Sequence, residues 1–84
     1  MSKIPDAKNH RKFRFSGKKL KSARTKWGLT QKQIMARLVE MGYTKASTQL
    51  IDDWETERIK CPSLEYVMAL ADIFKVNIDF FLKD

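Results

Sequence analysis

Apolar residues recur every three or four positions along most of this chain, which is the spacing of one helix face and not the alternation of a strand. A residue suited to cap a helix N-terminus precedes each of five such stretches: Ser16, Thr30, Ser47, Ser63 and Asn77. Gly28 and Gly42 follow the first two stretches, where glycine can take the left-handed conformation that ends a helix. The pattern predicts five short helices in a compact all-α domain.

The apolar residues on these helix faces are expected to form one small core. The chain has 84 residues, of which 43% are hydrophobic, which suffices for a single domain. Because methionine and aromatic residues at helical spacing usually face the interior, we expect the following side chains to be buried: Trp27, Met35, Met41, Leu64, Met68 and Phe74.

Basic residues are concentrated at one end of the chain. Residues 1–26 contain ten lysines and arginines and one aspartate, a net charge of +9. Residues 27–84 contain seven basic and nine acidic residues, a net charge of −2, so the whole chain carries +7. Such an excess favours a polyanionic partner, nucleic acid first; the alternative is a solvated basic tail. Residues 1–15 are predicted to form a flexible basic arm, and residues 16–84 the folded domain. Phe13 and Phe15 are expected to hold the end of the arm against the domain.

No set of residues in the sequence suggests catalysis or metal binding. His10 lies in the arm and Cys61 has no base near it in sequence, and two such residues are too few for a structural zinc site. A lone cysteine excludes an internal disulfide and fits a reducing compartment. No apolar run approaches the ~20 residues of a membrane span, and no signal peptide is expected. We therefore expect a cytoplasmic protein that is not an enzyme and needs no cofactor.

Two stretches together resemble a known family: LKSARTKWGLTQKQIMARL and, after it, STQLIDDWETERIKCPSLEYVMALADIFKVNIDFFL. They resemble the phage-repressor-like helix-turn-helix domains, often called the xenobiotic-response-element (XRE) or Cro/C1 type, over residues 16–82. The resemblance implies a five-helix lambda-repressor-like fold whose third helix lies in the major groove of DNA. Gln31–Met41 would then be the positioning helix and Thr48–Glu57 the recognition helix.

The sequence departs from the family pattern in two places. The segment from Val39 to Ala46 is longer than the short turn that the family usually places between these helices. An alternative register uses Gly42 as the turn glycine but puts Arg37 in the core, so we expect a lengthened second helix and an enlarged turn. The second departure is Glu57, where many relatives carry glycine.

The outer face of the recognition helix is predicted to contact bases. With Ile51 and Trp54 turned inward, helical geometry puts other side chains on or beside the outer face: Thr48, Gln49, Asp52 and Asp53. Glutamine can bond adenine through two atoms, and aspartate can accept from the amino group of cytosine. Aspartate also repels phosphates, so these acids would penalise wrong sequences. The alternative for both aspartates is plain solvent exposure.

Most of the affinity would come from phosphate contacts. The resemblance implies one for Gln31, at a helix N-terminus whose free N–H groups attract anions; the alternative is an ordinary first-turn residue. The other candidates are basic residues of the turn, the loop and the arm: Lys45, Arg58, Lys60, Lys8, Arg11, Lys12 and Arg14. The arm could follow the DNA backbone, enter a minor groove, bind RNA or be an unstructured terminus, and the loop residues could be ordinary surface charges.

The resemblance also implies a structural ion pair and a dimer. The family counterpart of Glu55 pairs with the arginine that Arg24 matches. Family members often dimerise through the last helix, which points to four residues: Ile78, Phe80, Phe81 and Leu82. Two adjacent phenylalanines cannot both enter one small core, so one of them is expected to be exposed.

The leading hypothesis is a sequence-specific transcriptional regulator of bacterial or phage type, a repressor rather than an activator. It would bind double-stranded DNA at the nucleoid as a homodimer, since symmetric half-sites match a symmetric protein. The alternative is a protein-interaction module, such as the antitoxin-like component of a toxin–antitoxin pair. The acidic recognition helix and the enlarged turn favour this alternative, whereas the basic arm does not.

Overall fold

Helices account for nearly all of the regular structure in a computed structural model of the protein, which describes residues 13–84. The elements of this range are α1 (Gly17–Lys26), α2 (Gln31–Glu40), α3 (Thr48–Glu55), α4 (Leu64–Phe74) and a 3₁₀-helix (Ile78–Phe81). The all-α prediction is confirmed for this range, with a 3₁₀ turn where the fifth helix was expected. Three predicted arm contacts lie outside the described residues: Lys8, Arg11 and Lys12.

Hydroxyl side chains begin all four α-helices at the predicted positions. Each accepts a hydrogen bond from the backbone N–H three residues further on: Ser16, Thr30, Ser47 and Ser63. At α2 the cap is reciprocal, because the Gln33 side chain also accepts from the Thr30 N–H at 2.8 Å. Asn77 makes no side-chain cap bond, so that cap prediction is wrong.

Two helices end earlier than predicted. α2 ends at Glu40 instead of Met41, and α3 ends at Glu55 instead of Glu57. The chain then leaves α3 through Glu57, whose φ of 61° lies in the left-handed region. This region favours glycine, which explains why a glycine would suit this position. Lys75 ends α4 in the same conformation.

The core contains ten fully buried large side chains: Trp54, Phe15, Phe74, Phe81, Leu20, Ile34, Leu38, Ile51, Leu70 and Val67. Phe74 is buried as predicted and Met35 is half-buried against the core. Four other side chains predicted to be buried are exposed by 42–59%: Trp27, Met41, Leu64 and Met68. Each of these four lies on the outer side of its helix or at a helix end, so helical spacing alone overestimated the width of the buried face.

The N-terminal segment and the C-terminus run antiparallel beside each other. Phe15 and Leu82 form an isolated β-bridge, and the Lys83 N–H donates to the Arg14 carbonyl at 2.8 Å. The Phe15 ring stacks on Phe81 with centroids 5.5 Å apart. The folded body therefore includes residues 13–15, which were predicted to belong to the arm.

Candidate nucleic-acid interface

The connection between α2 and α3 is packed against the body. It spans residues 41–47 and includes Gly42, whose φ is 104°. The Tyr43 N–H donates to the Leu38 carbonyl at 3.0 Å, and the Tyr43 ring lies 5.1 Å from that of Tyr66. These contacts hold the enlarged turn in place, with Lys45 exposed in it.

Arg24 and Glu55 form the ion pair that the resemblance implied. Arg24 Nε lies 2.6 Å from Glu55 Oε2, and Nη2 donates to Oε1 at 3.2 Å. Arg24 Nη1 also donates to the Leu29 carbonyl at 3.0 Å. The Glu55 side chain is only 3% exposed, and its hydrogen bond raises the pKa of Arg24. The pair therefore ties α1 to α3 in a largely dry environment.

Gln31 extends this ion pair into a network that reaches Asp52. Its Nε2 donates to Glu55 Oε1 at 3.1 Å and to Asp52 Oδ1 at 3.2 Å. Both amide hydrogens of Gln31 thus bond α3, so its phosphate contact, which stays a prediction, would require the side chain to give up these bonds. The Asp52 carboxylate likewise bonds α2, and its base contact stays a prediction.

Asp53 is the acid closest to the outer face of α3. Gln49 Nε2 donates to Asp53 Oδ1 at 3.0 Å, and Arg58 Nε lies 3.7 Å from the same oxygen. The Asp53 side chain is 18% exposed, whereas that of Arg58 is 67% exposed. Thr48 and Gln49, in the first turn of the helix, are exposed as predicted.

Glu57 connects the end of α3 to the start of α1 and to the C-terminal segment. Its Oε2 accepts from the Gly17 N–H at 3.0 Å, and Lys83 Nζ lies 2.8 Å from Oε1. The hydrogen bond from Lys83, followed by the one from Gly17, lowers the pKa of Glu57. Sequence reasoning missed this role, because its partners lie far away along the chain; the departure from the family glycine was the only signal.

Close contact between the start of α1 and the end of α3 depends on Gly17. A Cβ at this position would overlap the carbonyl oxygens of Trp54 and Glu55. Only a residue without a side chain allows this approach, which in turn brings the Gly17 N–H to Glu57.

The acids of α3 and the residues after it are therefore paired within the chain: Asp52 with Gln31, Asp53 with Arg58, Glu55 with Arg24, and Glu57 with Lys83. Basic residues flank the helix in sequence, with Lys45 before it and Arg58 and Lys60 after it, all exposed. Three of these four acids have a cationic partner, which offsets part of the negative charge near α3.

The four residues proposed for a dimer interface differ in exposure. Phe81 is fully buried, with its ring stacked on Phe15 and edge-on to Phe74, so its predicted place in the interface is wrong. Phe80 is 38% exposed and is the outward member of the adjacent pair. Ile78 and Leu82 are half-buried.

The described residues were also compared with what a metal site, a reactive cysteine and a membrane span require. Within residues 13–84 no three His, Cys, Asp or Glu side chains lie where they could hold a metal ion. Partial burial raises the pKa of the Cys61 thiol, which keeps it protonated and weakly nucleophilic. Among the helices of this range, none has the length and apolar character needed to cross a membrane.

Comparison of the chain with protein-family models, with curated proteins and with solved structures found no match.

Proposed function

We propose that the protein is a sequence-specific DNA-binding transcriptional regulator with a lambda-repressor-like helix-turn-helix, in which α2 positions α3 in the major groove. The supporting observation is the orientation of α3. Ile51 and Trp54 are buried, while Thr48 and Gln49 are exposed in the first turn. Helices that read the major groove do so mainly through residues near their N-terminus.

The internal pairing of the acids supports this proposal on electrostatic grounds. Unpaired carboxylates on a groove-facing helix would repel phosphates, but two of the three on α3 have a cation within the chain: Glu55 has Arg24, and Asp53 has Arg58 at 3.7 Å, close enough to a phosphate contact to act on both. Residues 13–84 contain 13 basic and nine acidic residues, a charge of +4, and residues 1–12 add +3. Lys45, Arg58, Lys60 and Arg14 are the described residues that we assign to phosphate contacts.

We further propose a homodimer on a two-fold operator, acting as a repressor at the nucleoid in the cytoplasm. Phe80, with Ile78 and Leu82 beside it, is the patch of the C-terminal segment that a second copy could cover. An apolar side chain at a dimer interface loses its water contact on association, which supplies the driving force.

Salt titration of binding to random duplex DNA tests the electrostatic part of this proposal. Each phosphate contact contributes about −0.9 to the slope of log affinity against log salt. The double variant Lys45→Gln/Lys60→Gln should flatten the slope by about two contacts, roughly 1.8. Lys75→Gln, beside Trp27 and Met41, is the matched control and should leave the slope unchanged. Absence of binding even at low salt would refute the proposal.

Selection from random duplexes tests the specificity. It should yield two half-sites whose spacing reports the dimer geometry. Gln49→Ala should relax the preference at one position of each half-site, with a cost of about 1–3 kcal/mol for the preferred base. A wild-type pool without any enriched sequence would argue against sequence-specific recognition.

A second candidate function, the protein-interaction module, is favoured by a different surface. A hollow of about 260 Å³ contains the exposed Trp27 and Met41 beside Ile73, with charges of both signs around them: Arg37, Glu40, Asp72 and Lys75. An aromatic and a methionine within a polar rim are typical of protein interfaces. An antitoxin-like protein could hold its partner here.

The variant Trp27→Ser separates the two functions. For a DNA regulator it should leave duplex affinity unchanged. For an interaction module, neither the wild type nor the variant should bind duplex DNA. Sedimentation with cell extract should then show the wild type in a larger complex and the Trp27→Ser variant alone.

A further inference from the structure

A cleft of about 470 Å³ opens where the N-terminal segment, the loop after α3 and the C-terminus meet. Six residues line this basic cleft: Phe13, Arg14, Phe15, Lys60, Cys61 and Lys83. Its volume falls within the ~300–1,000 Å³ of small-molecule sites. The contacts that hold α3 against the body do not by themselves explain this opening.

The charge of the basic cleft fits a doubly charged anion. Arg14, Lys60 and Lys83 contribute three positive charges. Glu57 contributes one negative charge. Its Oε1 lies 2.8 Å from Lys83 Nζ, and the charge of Lys60 also helps to lower its pKa. The balance of +2 matches a phosphate monoester, which carries about −1.5 to −2 at pH 7.

An aromatic ring forms part of the wall. Phe13, which lines the cleft, is half-buried, and Phe15, which also lines it, is fixed by stacking on Phe81. Cys61 is exposed, and partial desolvation raises the pKa of its thiol, so it adds no negative charge to the cleft at pH 7. Planar bases stack on such aromatic side chains with little regard to base identity.

The walls are held by backbone hydrogen bonds and not by side chains alone. The Lys83 N–H donates to the Arg14 carbonyl at 2.8 Å, and the Ser16 N–H donates to the Phe81 carbonyl at 2.7 Å. A preformed site loses less entropy when a ligand binds than one that must first be ordered.

We propose that the basic cleft binds a nucleotide unit, a planar ring joined to a phosphate monoester. The phosphate would lie among Arg14, Lys60 and Lys83, and the ring would lie against Phe13. A free nucleoside monophosphate and the phosphorylated 5′ end of a nucleic-acid strand both present this chemistry. The cleft shares Arg14 and Lys60 with the phosphate contacts proposed for duplex DNA. The inference nevertheless requires neither Thr48 nor Gln49, and mononucleotide binding is measured without duplex, so either proposal can fail while the other holds.

Calorimetry on the full chain tests the ligand class. Adenosine 5′-monophosphate should bind at least tenfold more tightly than ribose 5-phosphate, which lacks the ring, and than adenosine, which lacks the phosphate. Equal affinity for adenosine monophosphate and ribose 5-phosphate would overturn the proposal, because it would show plain anion binding. No detectable binding of either the mononucleotide or a 5′-phosphorylated dinucleotide would overturn it as well.

The same dinucleotide identifies the source of the ligand. Binding tighter than that of the mononucleotide, and lost without the 5′ phosphate, supports a strand end. Binding no tighter than that of the mononucleotide supports a free nucleotide.

Two variants locate the site. Lys60→Gln should weaken mononucleotide binding at least fivefold, and Phe13→Leu, which keeps an apolar side chain but removes the ring, should do so too. Lys21→Gln removes the same charge from an exposed position of α1 and should have no effect. Thermal melting of each variant checks that it folds. An equal loss in Lys21→Gln, or none in either cleft variant, would overturn the proposal.

Discussion

Arg24 and Glu55 form a bidentate ion pair that joins α1 to α3, with the shorter N–O distance at 2.6 Å. Arg24→Ala would leave the Glu55 carboxylate, 3% exposed, without its cation. We expect the free energy of unfolding to fall by about 3 kcal/mol, because an uncompensated buried charge is costly. Urea unfolding measures this loss. Lys21→Ala, on the exposed face of the same helix, should change it by less than about 0.5 kcal/mol.

Gly17→Ala should destabilise the protein although alanine favours helices. The added Cβ would overlap the backbone carbonyls of Trp54 and Glu55, which cannot rotate away. We expect a loss of about 2 kcal/mol or more, as for other overpacked sites, measured by urea unfolding. At Gly28, φ is +71° but no atom lies within 4 Å of the added Cβ, so Gly28→Ala costs backbone strain alone. A Gly17→Ala variant as stable as Gly28→Ala would contradict the close contact.

Glu57 combines an unfavourable backbone conformation with favourable side-chain contacts, and two variants separate them. Glu57→Ala loses the bonds to Gly17 and Lys83 but keeps a Cβ at φ 61°, so it should melt below the wild type. Glu57→Gly loses the same bonds but relieves the backbone, and should melt above Glu57→Ala. The reverse order of the two melting temperatures would argue against the left-handed conformation.

The lowered pKa of Glu57 predicts a pH dependence. A carboxyl whose pKa is lower in the folded state contributes stability above its unfolded pKa, about 4.3, and loses it as pH falls through the folded value. Glu57→Gln cannot pair with Lys83, so it should be less stable than the wild type at pH 7. This difference should begin to shrink as pH falls below about 4.3 and should vanish only below the lowered folded pKa, where both side chains are neutral. Melting curves from pH 7 to about pH 2.5 test this; a constant difference would mean that the charge is unimportant.

Phe80 and Phe81 should respond differently to truncation. Phe81→Ala removes a fully buried ring and should cost about 3–5 kcal/mol of stability. Phe80→Ser should cost less stability than Phe81→Ala, because Phe80 is 38% exposed, and it should shift the mass of the proposed homodimer to that of a monomer. Light scattering gives the mass and urea unfolding the stability. An unchanged mass for Phe80→Ser would remove this residue from the interface.

Much of the fold could be predicted because it depends on near neighbours. The hydroxyls of Ser16, Thr30 and Ser47 cap helices through N–H groups three residues away, so the sequence contains both partners side by side. Helical periodicity identified Ile51 and Trp54 as the buried positions of α3, and both are buried.

The candidate site was less predictable, because its side chains have distant partners. Gln31 and Asp52 were both predicted to contact DNA, but the hydrogen bond that joins them between α2 and α3 was not predicted, because the two residues lie 21 positions apart. The exposure of Thr48 and Gln49 was predicted correctly, since the first turn of a short helix has few neighbours to cover it, whereas their contact with bases stays a prediction.

Sequence alone thus determined the helices, their starts and the excess of positive charge, all of which follow from local bonding and composition. Only the tertiary structure decided which phenylalanine is buried, how the acids near α3 are paired and why Glu57 is left-handed. The bond between Gly17 and Glu57 spans forty residues, and such contacts arise only once the packed core brings α1 and α3 together.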